Sequence, residues 1–220
     1  MTVRNRGALA AMAAGAAALT VATVVACRAR PAENVGGADV ERLASPTSTA
    51  PAPAAPRIPV ATGDLPSVAA ATVPPVRLRI PAIDVTATVD PVGVDAGTGE
   101  FAVPPSVDEV GWYRYGPGLE AGRGSIVVAG HVDSATQGRG AFHRLRELDR
   151  GDTVTLTGRD GTDRAYRVVA REEYDKTRIP LERYFARDGE VRLTLITCGG
   201  PFDAEARRYR DNVVVTAVPA

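Results

Sequence analysis

From Val76 to the C-terminus the chain is a succession of short apolar or alternating runs, each cut by a turn signal, with no stretch left over for a long helix. "VRLRI" (76–80) alternates apolar and basic residues, the period of a half-buried strand. "DVTATVDPVGV" (84–94) continues that pattern, with Pro91 marking an edge or a bulge. "VGWYRY" (110–115) reads as a short aromatic strand, and "SIVVAGHV" (125–132) as a strand buried on both faces. "DTVTLTG" (152–158) and "DRAYRVVAREEY" (163–174) flank an Asp160-Gly161 turn. "EVRLTLIT" (190–197) reads as a strand stopping at Cys198, and "RDNVVVTAV" (210–218) as the last strand. Helical scraps are confined to "AFHRLRELD" (141–149), with Phe142, Leu145 and Leu148 on one side, and "IPLERYF" (179–185). About eight closely spaced strands without alternating helices predict an all-β barrel or sandwich and exclude a doubly wound sheet.

The residues ahead of Val76 divide in two. Gly7–Cys27 carries no charge over 21 residues and follows Arg4 and Arg6. A helix needs ~20 apolar residues to cross a bilayer. Residues 1–27 therefore read as a retained membrane anchor, a cleaved signal, or a lipoprotein signal in which "VVAC" presents Cys27 for lipidation. Each of these puts the remainder outside the cytoplasm, so a single-pass or lipid-anchored protein of the cell membrane is expected. Residues 28–75 hold nine of the 17 prolines, mixed with Ala, Ser and Thr. Such a segment has little to bury and is expected to be an extended, disordered linker. Residues 76–220 are then the folded domain. The formal net charge is zero, which gives no reason to expect nucleic acid as a partner.

The chemistry centres on Cys198. With Cys27 in so different a context, two cysteines make no disulfide scaffold. His131 ends one predicted strand as Cys198 ends another, and strand ends can meet at one rim of a barrel. An imidazole or guanidinium beside a thiol activates it as a nucleophile. Gly199 and Gly200 are expected to leave backbone N–H groups open near the sulfur for a developing oxyanion. Arg210, 12 residues after Cys198, returns beside it if the last two strands pair. Thr194 shares a strand face with Cys198 and is a candidate groove contact, whereas Thr197 points the other way. Read alone, Cys198 fits a small buried hydrophobe equally well, and His131 a core histidine. His143 reads as a helix-surface residue. Papain-like and caspase-like orders of Cys and His do not match, nor does the L,D-transpeptidase pattern around its cysteine. His131, His143 and Cys198 lack the spacing of a zinc site.

Three blocks, "AGHVDS" (129–134), "LTLITCGGPFD" (193–203) and "YRDNVVV" (209–215), resemble in order the motifs of the sortases, bacterial cysteine transpeptidases. "VDEVGWYRYGPG" (107–118), "QGRGAFHRL" (137–145) and "CGGPFD" (198–203) resemble the actinobacterial class F subgroup. The resemblance covers residues 76–220. It implies a closed eight-stranded β-barrel with Cys198 as nucleophile, His131 as general acid/base and Arg210 as the oxyanion or substrate-positioning cation. It also implies a transpeptidase and endopeptidase of the hydrolase class, cleaving a sorting signal like Leu-Pro-x-Thr-Gly between Thr and Gly. The acyl group would pass from a thioacyl-enzyme to a cell-wall amine of the lipid II type. No cofactor is implied. Glu172 and Glu173 are adjacent strand residues facing opposite ways and match no calcium cluster of the family, so no metal is expected. The loop before Glu190 is too compact for a long specificity insert. The competing reading from a different class is a non-catalytic envelope barrel that binds peptide or glycan.

Overall fold

The computed structural model describes residues 34–45, 72–97 and 100–220. A helix, α1 (Gly37–Ala44), precedes the strands β1 (Pro75–Ile80), β2 (Val85–Val92), β3 (Val110–Tyr113) and β4 (Ser125–Gly130). A two-residue hairpin follows, β5 (Asp133–Ser134) with β6 (Gly138–Arg139). Then come β7 (Thr153–Gly158), β8 (Asp163–Asp175), a single-turn helix α2 (Leu181–Tyr184), β9 (Arg192–Asp203) and β10 (Arg208–Pro219). Eight of the strands close into a barrel in the order β1-β2-β3-β4-β9-β10-β8-β7. The β2–β3 and β4–β9 pairs are parallel and the other barrel pairs antiparallel.

The alternation in the sequence sets which side chains fill the barrel. In β1, Leu78 and Ile80 are buried while Arg77 and Arg79 face solvent; in β2, Val85, Ala87 and Val89 turn inward. Ile126, Val128, Leu193 and Leu195 meet them from the central pair β4 and β9. Phe142, Leu145 and Leu148 are fully buried, as their spacing predicts, although the backbone there makes turns and one 3₁₀ turn (Leu145–Glu147) rather than two α-helical turns.

Two expectations change. The segment 28–75 is not linker throughout: residues 34–45 form part of the fold. Val35 bridges Arg171 on β8, and α1 buries Val40 and Leu43. The apolar cluster on that side is Val40, Ala170, Tyr184 and Val214, on the outer surface of the barrel. A helix this short buries only two large side chains, so the Pro-rich average around it masks its apolar spacing. The backbone at Gly36 explains the entry: φ is +82°, and a Cβ there would sit 2.3 Å from the carbonyl oxygen of Val169. Only glycine satisfies both conditions. Second, β9 does not stop at Cys198 but runs five residues further, to Asp203. Gly200 adopts φ +70°, and the β9–β10 register shifts between Tyr209 and Asp211. A glycine in the left-handed region accommodates a bulge, after which pairing resumes at Phe202–Tyr209. The expected membrane segment, 1–27, and linker residues 28–33 and 46–71 lie outside the described residues. Among the described residues no helix is long and apolar enough to cross a membrane.

The outer surface under α1 also buries charge. Glu172 accepts hydrogen bonds from Arg183 Nη2 (3.1 Å to each oxygen), Tyr174 (2.7 Å) and Tyr184 (2.6 Å). Arg183 reaches on to Glu41 of α1 at 3.1 Å. Arg192, wholly buried, donates to four carbonyls: Leu43, Asp188, Glu190 and Arg183. Those bonds clamp the C-terminal end of α1 and the turn after α2 to the start of β9. Removing one partner of a buried pair strands the other's charge, a loss of about 3 kcal/mol or more. Glu172→Gln should therefore lower unfolding stability by about 3 kcal/mol, read from the urea midpoint at unchanged slope.

Candidate functional site

The pairing of β4 with β9 assembles the site. Ser125 lies opposite Arg192, Val127 opposite Thr194 and Ala129 opposite Ile196, in parallel register. Two residues further along both strands come His131 and Cys198. Parallel strands keep equivalent positions level and on one face, so the histidine and the cysteine emerge together on the outer face of the barrel. Thr197, on the inner face, donates to the Gly130 carbonyl at 2.8 Å and ties the end of β4 to the middle of β9.

His131 and Cys198 line one cavity of about 630 Å³. One wall is the β4–β5 connection, Val132 to Ala135; the other is the end of the β9–β10 hairpin, with Phe202, Arg207, Arg208 and Tyr209. Lys176, just past β8, completes the lining. Cys198 carries a free, half-buried thiol, and the Lys176 ammonium donates to its sulfur at 3.4 Å. His131 Nε2 lies 2.9 Å from the Pro104 carbonyl. A carbonyl only accepts, so Nε2 carries the hydrogen and Nδ1 is the acceptor of the neutral ring. The Tyr209 hydroxyl donates to Asp133 Oδ2 at 2.5 Å, bridging the two walls. That hydrogen bond, then burial, then the negative charge of Asp133, push the Tyr209 phenol up to about 12.

Arg210 is exposed and is not part of the cavity lining. It stands two residues before Asn212, the strand partner of Cys198, and its charge acts on the carboxylates of Asp175 and Asp203. Thr194 departs from expectation. It shares the face of Cys198 but is wholly buried, with its hydroxyl 2.7 Å from that of Ser125, and it does not reach the cavity. Strand periodicity assigns a face; it does not say how far along that face the strand is covered. Burial, reinforced by the charge of Asp211, raises Glu173 above the ordinary carboxylate range, against the opposing influence of the Gly200 backbone amide. His143 Nδ1 lies 2.9 Å from the carbonyl of Gly140, away from the cavity lining. Among the described residues no cluster of three or more His, Cys, Asp or Glu could hold a metal.

A sortase-domain family model matches residues 78–220. The chain belongs to the sortase family. Family membership makes it a cysteine transpeptidase, and the family acts on cell-wall proteins bearing sorting signals. Among solved structures it is similar to a lid mutant of sortase A from Corynebacterium diphtheriae, with TM-score 0.50 and 22% identity over 69% of this chain and 73% of that one. Sortase C-1 from Actinomyces oris gives TM-score 0.50 and 22% identity over 66% and 72%. A pilus-related sortase C of Group B Streptococcus gives 0.51 and 13% over 67% of each chain. At such identities the likeness speaks for the fold. No curated protein matches the chain.

Sequence reading overlooked Lys176, Tyr209 and Asp133. Asp133 and Tyr209 fall inside the blocks that carry the resemblance, but nothing in their spacing says they bond to each other. For Lys176 a signal existed: it is the only lysine in the sortase chain.

The raised Tyr209 phenol gives a test with a definite sign. It favours the folded state below the ordinary tyrosine range, ~10, and that contribution is lost as pH rises through about 12. An ultraviolet titration of wild type minus Tyr209→Phe should show one tyrosine ionising near 12, not near 10.

Proposed function

We propose that this sortase cleaves a sorting signal resembling Leu-Pro-x-Thr-Gly between Thr and Gly and transfers the acyl group to a cell-wall amine of the lipid II type. The observation that carries this reading is a free, half-buried thiol sharing a cavity with an imidazole on one face of the barrel. In this reading Cys198 Sγ attacks the threonine carbonyl carbon. The S–C bond forms and the C–N bond to glycine breaks. His131 gives its proton to the departing amine. The incoming amine then attacks the thioacyl carbon, the C–S bond breaks, and His131 takes a proton from the new amide nitrogen. Arg210, exposed at the start of β10 and outside the cavity lining, is the cation the resemblance assigns to the carbonyl oxygen as it becomes an oxyanion, and its side chain must turn toward the cavity when substrate binds to donate from its planar fork. Water in place of the amine makes the enzyme an endopeptidase.

The blocks at 107–118 and 137–145 favour the class F subgroup. The uncharged run Gly7–Cys27 favours an enzyme held at the cell membrane, by a retained helix or by lipid on Cys27, with the barrel outside the cytoplasm.

The test is incubation of the purified chain with quenched sorting-signal peptides, with and without an amine acceptor, and mass spectrometry of the protein during turnover. Expected are cleavage after Thr, an acyl mass on Cys198, and faster release when amine is present. Cys198→Ala should abolish cleavage, and His131→Ala should lower kcat/KM by about a hundredfold or more. Full cleavage by Cys198→Ala, or no acyl mass on any peptide tried, overturns the assignment.

A further inference from the structure

The cation in contact with the Cys198 sulfur is Lys176, and its identity is unusual for this chain. Of 26 basic residues it alone is lysine, all the others being arginine. An ammonium is a compact point charge with rotatable donors, whereas a guanidinium is a wide planar fork suited to paired oxygens. A single sulfur is therefore better served by lysine. The backbone that presents Lys176 is also fixed. Its N–H donates to the Arg210 carbonyl at 3.0 Å, joining the end of β8 to the start of β10. Asp175 Oδ1 accepts from the Thr177 amide at 2.8 Å and from its hydroxyl at 2.5 Å, closing a tight turn around residue 176.

We propose that Lys176 is a catalytic residue of this sortase, its ammonium holding the Cys198 sulfur as the attacking anion and leaving Arg210 to act on the substrate's carbonyl oxygen. The thiol proton goes to His131 or to water, and the ammonium keeps its three protons. On acylation the sulfur becomes a neutral thioester sulfur and the charge-assisted hydrogen bond is released. This assignment rests on the reading of Cys198 as nucleophile and names the group that charges it. The other charged or titratable groups facing the sulfur are His131 after β4, Asp133 on β5, and Arg207, Arg208 and Tyr209 at the β9–β10 end. Asp133 is engaged by Tyr209.

The contact can be read without any peptide. Alkylation of Cys198 by anionic iodoacetate and by neutral iodoacetamide is measured at one pH on the full chain, following the Cys198 peptide by mass spectrometry. The rate ratio of the two reagents reports the local field, because the thiolate fraction cancels. Lys176→Met should lower the iodoacetate/iodoacetamide ratio by about fivefold or more. Lys176→Arg should restore most of it. Arg178→Gln, which removes an exposed cation two residues from Lys176 that does not line the cavity, should keep the ratio within about twofold of wild type. Acetylating the folded wild type, with Lys176→Met treated alike as control for the N-terminal amine, should reproduce the loss without a sequence change. On any peptide the wild type cleaves, Lys176→Met should lower kcat and move KM little. An unchanged ratio in both Lys176→Met and the acetylated protein overturns the role of Lys176 while leaving peptide cleavage intact. A loss in Arg178→Gln equal to that in Lys176→Met overturns it as well. Absence of cleavage with a ratio that does depend on Lys176 counts against the transpeptidase substrate, not against the contact.

Discussion

The parallel ladder between β4 and β9 is the constraint on which the site depends. Each strand contributes one chemical group, His131 just past the end of β4 and Cys198 within β9, and neither strand carries both. The in-register pairing of Val127 with Thr194 and Ala129 with Ile196 brings the two side chains level. Side chains alternate across a strand, so a slip of one residue would send either group to the apolar interior. The interior resists that slip: Ile126, Val128, Leu193 and Leu195 fill the barrel from the same two strands. Core packing and the juxtaposition of His131 with Cys198 are thus enforced by one register.

Cover on the outer face decides where along β9 chemistry is accessible. Toward the start of the strand, Thr194 and Arg192 are wholly buried, Arg192 bonded to carbonyls of α1 and α2, and Glu172 and Arg183 satisfy each other nearby. Toward its end the cover gives out, and the walls become the β4–β5 connection and the β9–β10 hairpin. The bulge at Gly200 extends that hairpin past Cys198, so Phe202 and Tyr209 rise beside the sulfur. Without it the cavity would lack its second wall. The Tyr209–Asp133 hydrogen bond then links the walls across the groove, and Lys176 enters from the end of β8.

Much of this was legible beforehand because it rests on local periodicity. Eight strand segments, the inward face of "VRLRI", the buried side of Phe142, Leu145 and Leu148, and the shared face of Thr194 and Cys198 all follow from period-two or helical spacing. What escaped depends on contacts between distant segments. α1 gains its stability from Ala170, Val214 and Arg192, far along the chain, so its composition reads as linker. The "CGGP" run reads as a stop, and only the pairing with β10 turns its glycine into a bulge. Thr194 lies on the expected face but beneath a cover that strand alternation does not encode.

Sequence alone determined the all-β class and the family resemblance, and singled out Cys198 and His131 as candidates. These depend on residue type and short-range spacing. Tertiary structure decided the register that unites His131 with Cys198, the burial of Thr194 and the approach of Lys176 to the sulfur. Each of these is a contact across many residues of chain. Its geometry comes from barrel closure and core packing, which no local window of sequence contains.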